Sequence, residues 1–292
     1  MKRNPGLMLV AALIAVGAQA DLFGSGDHEF ELIFKNISSG SNSSGEHGQV
    51  DYDYGIGTYE ITANQWVKYI AMSGGPAGGS KKGSTTIGNH AVDYVSWYEA
   101  AQFVNWLNTS SGGTMAYNFD DSGTMSLWGE GTRAATSAYR HKDAVYVLPS
   151  DDEWVKAAYW NGINLQIYAT PLDTQPVAGV DANYAGSGVW EVGSGAEELN
   201  GTYDMMGNLW EWNESAFDGA DDNVHGTHVI HGGAFEDAVA ALSSSEGADK
   251  YNPGHENDVV GFRVAVIPEP ASMVLISLFG GGMLLVRRIF MK

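Results

Sequence analysis

Residues 204–212 read Asp204-Met205-Met206-Gly207-Asn208-Leu209-Trp210-Glu211-Trp212, and the reading of this stretch decides the fold. Tryptophan buries a large area while its indole N–H finds a partner inside an irregular core. Glycine opens backbone conformations closed to other residues. The segment therefore reads first as a core corner built from buried aromatics and a tight turn.

Working outward, a similar logic marks the neighbouring segments. His231-Gly232-Gly233-Ala234-Phe235 and Gly261-Phe262-Arg263-Val264-Ala265 join glycine to aromatic or cationic side chains. Upstream, Pro149 ends a short strand, Ser150 caps a helix with Glu153 three residues on, and Trp154, Ala157 and Ala158 face inward. Ser96 and Glu99 repeat that capping box before an apolar stripe of Ala100, Phe103, Val104 and Leu107. Thr62 caps a third helix carrying Trp66, Tyr69 and Ile70 on one face, after alternating Tyr52, Tyr54, Ile56 and Thr58. Phe30, Leu32 and Phe34 alternate as a half-buried strand before a Gly/Ser-rich loop. No internal repeat is visible. With 38 glycines and few credible helices, the class is α+β with much irregular backbone.

The two ends read differently. Residues 1–20 carry Lys2 and Arg3, an apolar stretch from Leu7 to Val16, and Ala18-Gln19-Ala20. That order is a secretory signal peptide for a signal peptidase, with the mature chain starting at Asp21. At the other end, residues 267–292 hold Pro268-Glu269-Pro270, an uncharged apolar transmembrane segment at 271–286, and then Arg287-Arg288. This tail resembles the PEP-CTERM sorting signal. The resemblance implies an exosortase-type processing protease as partner, a transient membrane anchor, and a final place at the cell surface or outside the cell. Residues 21–50 form an N-terminal strand and loop, and 51–266 the main domain.

The chain has 35 acidic residues, 15 basic ones and no cysteine. Setting aside Lys2, Arg3, Arg287, Arg288 and Lys292 leaves ten basic residues and a net charge of about −25 for the mature part. Such a surface repels nucleic acid and anionic lipid. Without cysteine there is no disulfide, thiolate metal site or thiol nucleophile. No G-x-S-x-G elbow, H-E-x-x-H helix or phosphate loop appears. Asp151-Asp152 and Glu197-Glu198 read as exposed pairs.

The motifs taken together resemble the sulfatase-modifying-factor family, which includes the formylglycine-generating enzyme. The resemblance runs in order through Ile56–Thr62 with Asn64 and Trp66, Val95-Ser96-Trp97, Leu148-Pro149-Ser150 with Glu153-Trp154, the 204–212 stretch, His231–Phe235 and Gly261–Ala265. It implies a variant of the C-type-lectin-like fold, loop-rich with few short helices. It also implies an oxidase whose two cysteines hold copper shortly after the Gly-Gly segment. Here that stretch is Phe235–Ser243 without cysteine, and carboxylates such as Glu236 and Asp237 do not replace a soft thiolate, so no copper is expected.

The resemblance further implies a structural calcium site, with side-chain oxygens from Asp204 and Glu211 and carbonyls from Gly207 and Leu209. The leading functional expectation is an exported, non-catalytic module that binds an extracellular polysaccharide or matrix protein, with Trp128, Tyr168 or Trp190 as candidate stacking surfaces. The alternative is a metal-dependent oxidase or oxygenase of the non-haem iron type, using His228 and His231 with a carboxylate such as Glu236 or Asp237.

Overall fold

Thr62, Ser96 and Ser150 start helices for one physical reason. Each hydroxyl accepts from the backbone N–H three residues on, and the side chains of Gln65, Glu99 and Glu153 bond back to the cap's own N–H. The helices are α1 (Ala63–Ser73), α2 (Trp97–Ser110) and α3 (Asp151–Tyr159). The α2 stripe of Ala100, Phe103, Val104 and Leu107 is fully buried, as is Trp154 of α3. Of the expected α1 face, Trp66 and Tyr69 are buried and Ile70 lies half-buried at its edge.

These elements come from a computed structural model, which describes residues 19–40, 47–77, 85–219 and 223–267. Most of the expected signal peptide and the whole apolar run at 271–286 lie outside the described residues. Among the described residues no helix is long and apolar enough to cross a membrane.

The strands are short. In chain order they are β1 (Gln19–Phe23), β2 (Phe30–Ile37), β3 (Tyr54–Gly57), β4 (Asn118–Phe119), β5 (Met125–Ser126), β6 (Tyr146–Val147), β7 (Trp210–Ala216), β8 (His228–His231), β9 (Ala248–Tyr251), β10 (Val260–Gly261) and β11 (Ala265–Val266). One antiparallel sheet runs β1-β2-β3-β11-β6. A second runs β10-β7-β8-β9, with β10 parallel to β7 and the other pairs antiparallel. β4 and β5 make a separate hairpin. Between the first sheet and α1 and α2 sits an aromatic core, where Phe103 lies 5.7 Å from Trp66 and 5.5 Å from Phe262, centroid to centroid.

Two boundaries differ from the sequence reading. β2 pairs with β3 from Phe34↔Gly57 to Ile37↔Tyr54, so the segment before residue 51 is an integral layer of the domain rather than an appendage. β1 was not legible as a strand, because its first two residues fall within the expected leader. Gln19 and Ala20 pair with Phe34 and Ile33, while Asp21–Phe23 pair with Leu32–Phe30.

Two glycines show why the motifs need that residue. A Cβ at Gly261 would lie 2.7 Å from the Val92 carbonyl oxygen, and one at Gly207 would lie 2.2 Å from that of Asn183. Gly207 also has φ +85°, and Asn208 follows it at 63°, a left-handed pair that turns the chain into β7.

Candidate functional site

The motifs converge on Arg263. Its guanidinium is fully buried and grips Glu211 with two bonds of 2.6 Å, Nε to Oε2 and Nη2 to Oε1. The remaining N–H groups reach the carbonyls of Gly57 (2.9 Å) and Tyr203 (2.9 Å). Trp154 donates its indole N–H to Glu211 Oε2 at 2.7 Å. Four of the six motif segments, those holding Gly57, Trp154, Glu211 and Arg263, are thereby fastened to each other through one ion pair.

Three more carboxyls surround it. Glu60 accepts from the Asn208 amide (2.5 Å) and the Leu209 N–H (3.2 Å). Burial, then the charges of Asp204 and Glu211, push its carboxyl well above the usual range. Glu198 accepts from the N–H groups of Met205 and Met206, and burial pushes it up to about 8. Asp204 accepts from the Gly193 N–H at 2.6 Å, and burial raises it to about 6.

At the expected calcium site, the carboxylates of Asp204 and Glu211 already have protein partners. Both oxygens of Glu211 accept from donors, Oε1 from Arg263 and Oε2 from Arg263 and the Trp154 indole. The N–H of Leu209 and the N–H of Gly207 are directed to Glu60 and to the Gly232 carbonyl, and the turn is held by these bonds. Among the described residues no group of three or more His, Asp or Glu is arranged to hold a metal ion.

A second buried node holds α3 to β7. Arg140 bonds both oxygens of Glu153 (2.9 and 3.0 Å) and, through Nε, Glu214 (2.7 Å). The hydroxyls of Tyr52 and Tyr117 donate to Glu153 and Glu214. Glu153 thus serves twice, as the capping-box partner of Ser150 and as the carboxylate of an ion pair.

The two candidate iron ligands point into different surroundings. His228 stacks on Trp97 at 4.1 Å, bonds the Glu214 carbonyl through Nδ1, and is lowered by burial to about 4. His231 stacks on Trp154 at 4.8 Å, bonds the Gly247 carbonyl through Nδ1 and Asp151 through Nε2. Asp237 accepts from the Ala234 N–H, and neither it nor Glu236 joins either ring. The pair on β8 is therefore packing and hydrogen bonding, not a ligand set. Asp151, read from sequence as exposed, is the partner of both His231 and His47. Glu198 is likewise buried rather than exposed.

Among the described residues, two of the clefts open to solvent carry polar side chains. One, of about 500 Å³, is lined by Glu31, Glu60, Lys68, Tyr59 and Glu191. The other, of about 410 Å³, lies between the end of β2 and the end of α3, lined by Asn36, Ser38, Trp160, Asn161 and Asn200. Of the aromatics singled out from sequence, Trp128, Tyr168 and Trp190 are half-buried, and Trp128 donates to the Ala116 carbonyl. None of them lines either cleft. Trp160 gave no signal, because it reads as the end of a helix.

Comparison with known proteins agrees with this architecture. The chain is similar in structure to Treponema denticola variable protein 1, at 21% identity and a TM-score of 0.61, over 85% of this chain and 99% of that one. It is similar to CarF at 25% identity and 0.60, over 80% and 97%. It is similar to PvdO from Pseudomonas aeruginosa at 15% identity and 0.54, over 85% and 98%. The first and third likenesses speak for the fold alone. No curated protein matches the chain in sequence. The sulfatase-modifying factor enzyme 1-like domain matches residues 27–267, the span in which Arg263 and Arg140 gather the motifs into an α+β, loop-rich fold, and the chain belongs to that family.

Proposed function

We propose that this chain is an exported, cell-surface or matrix-associated member of its family that binds a ligand and performs no oxidase chemistry. The observation that carries this reading is that the motif side chains able to do chemistry are occupied by internal partners. Glu211 is held by Arg263, Glu153 by Arg140, and His228 and His231 by separate tryptophans. With no cysteine in the chain, nothing supplies the soft ligands that the family's copper chemistry requires. The fold then acts as a rigid, acidic scaffold whose open clefts meet the surroundings.

Export rests on the leader-like residues 1–20 and on the Pro-Glu-Pro, apolar and Arg-Arg order of residues 268–288. Signal peptidase and an exosortase-type protease are the processing partners this reading names. The test pairs location with chemistry. Cells expressing a chain tagged within the domain are fractionated, and the purified protein is assayed for bound iron and copper and for oxygen uptake with thiol peptides. The expected result is a processed chain at the surface or in the medium, with no stoichiometric transition metal and no oxygen uptake. A cytosolic, unprocessed chain, or an iron or copper equivalent that supports turnover, would refute it.

A further inference from the structure

We propose that the cleft between the end of β2 and the end of α3 binds an uncharged saccharide, with Trp160 as its apolar face and Asn36 and Asn200 as its polar contacts. This names the ligand class of the binding reading above and rests on it.

The argument begins with what the cleft lacks. The chain carries 35 acidic residues, yet among the described residues no Asp, Glu or Arg lines this cleft, whereas Glu31, Glu60 and Glu191 line the other one. Its one charged residue, Lys156, is buried and directs its ammonium to the carbonyls of Gly40 (3.1 Å) and Val50 (2.7 Å). With that ammonium held by backbone carbonyls and no carboxylate among the described lining, the cleft presents mainly amides, hydroxyls and an indole, which suits an uncharged ligand.

What lines the cleft fits a polyol. A side-chain amide offers both donors and acceptors, so it can match neighbouring hydroxyls that act in both senses. Asn36 is exposed and its amide bonds nothing among the described residues. Asn200 gives its amide N–H groups to the carbonyls of Ala157 (2.9 Å) and Trp160 (3.0 Å), which fixes its plane while its Oδ1 keeps free lone pairs. Trp160 is half-buried, and its indole N–H has no partner among the described residues. An indole offers an apolar face for the C–H side of a sugar ring and a donor at its edge.

The walls are held before any ligand arrives. Lys156 ties the backbone at Gly40 to α3, and Asn161 accepts from the N–H groups of Ile163 and Asn164 to close the turn after Trp160. Fixed walls lower the ordering cost of binding. At about 410 Å³ the cleft lies within the range of small-ligand sites.

The test uses the purified full chain and a panel of neutral gluco-, manno- and galacto-oligosaccharides beside alginate and heparin oligosaccharides. Binding is read by titration calorimetry and indole fluorescence. Neutral oligosaccharides are expected to bind. Trp160→Ala should weaken them by roughly tenfold or more, and Asn36→Ala by several-fold, while Glu191→Gln in the other cleft leaves binding unchanged. Because Asn36 is exposed, its variant stays informative if Trp160→Ala fails to fold. Binding of uronate oligosaccharides alone, or no saccharide binding, overturns the proposal. Saccharide binding that both cleft variants leave intact overturns this site while leaving the binding module standing. The module itself fails on a different readout, stoichiometric iron or copper with oxygen uptake.

Discussion

Arg263 and Glu211 meet in a two-bond fork in the centre of the domain, 52 positions apart in the chain and both completely buried. Such a pair is stable only while both partners stand, because either charge alone is left without water or counterion. Arg263→Met is therefore expected to cost about 3–5 kcal/mol, read as a lower urea midpoint. Glu211→Leu should cost a similar amount, and the double variant should recover a large part of the loss. Additive losses would show that the two side chains do not act as a pair.

The buried acids set the response to pH. Glu198 ionises at about 8 in the folded chain against an ordinary 4.5, and Glu60 also lies well above its usual range. Folded protein thus holds protons that unfolded protein has released, and stability falls as pH rises through this window. His228 works in the opposite sense. Its folded value of about 4 lies below the ordinary 6.5, so its contribution is whole above 6.5 and is lost as pH falls through 4. Stability, followed as melting temperature, should therefore decline from pH 6.5 to 8, with the free energy of unfolding falling by up to about 1.4 kcal/mol per pH unit for each raised acid. Glu198→Gln should flatten that decline and, between pH 4.5 and 6.5, leave the opposing rise from His228 more visible. A wild-type curve that rises across this interval would contradict it.

Calcium offers a sharper check on the 204–212 corner. Since Glu211 is saturated by Arg263 and Trp154, neither added calcium nor a chelator is expected to move the melting temperature. A rise of several degrees on adding calcium, abolished by Asp204→Asn, would mean that Asp204 meets a cation there.

Helix starts are the local part of the fold, and Ser96 tests them in isolation. Its hydroxyl accepts from the Glu99 N–H and donates to the Glu99 carboxylate. Ser96→Ala should cost about 1 kcal/mol, measured by chemical unfolding, with Ser96→Asp close to wild type. No measurable loss would mean that tertiary packing alone fixes the start of α2.

What the sequence made legible divides along the same line between local and distant. The helix starts at Thr62, Ser96 and Ser150 were readable because a cap and its partner sit three residues apart. The alternation of Phe30, Leu32 and Phe34 gave β2 for the same reason. The partner of Glu211 was not readable, since nothing within a few residues of it says that Arg263 will close on it. The same holds for Asp151 with His231, 80 positions apart, and for Glu60 with Asn208, 148 apart. A carboxylate in a motif looks alike in sequence whether it will meet a metal or a guanidinium. Trp160 escaped notice because an indole at a helix end carries no mark of the cleft it will line.

The place of β11 has a consequence for how the protein is made and held. The final described strand of the chain lies between β3 and β6, in the interior of the five-stranded sheet, and only Ile267 separates it from the Pro-Glu-Pro tripeptide. The sheet therefore stays split until the last part of the domain is available, so its assembly waits on nearly the whole domain rather than building up strand by strand along the chain. Once the sheet is formed, any pull on the tail is delivered straight to its middle, where force must shear two ladders together instead of peeling an edge.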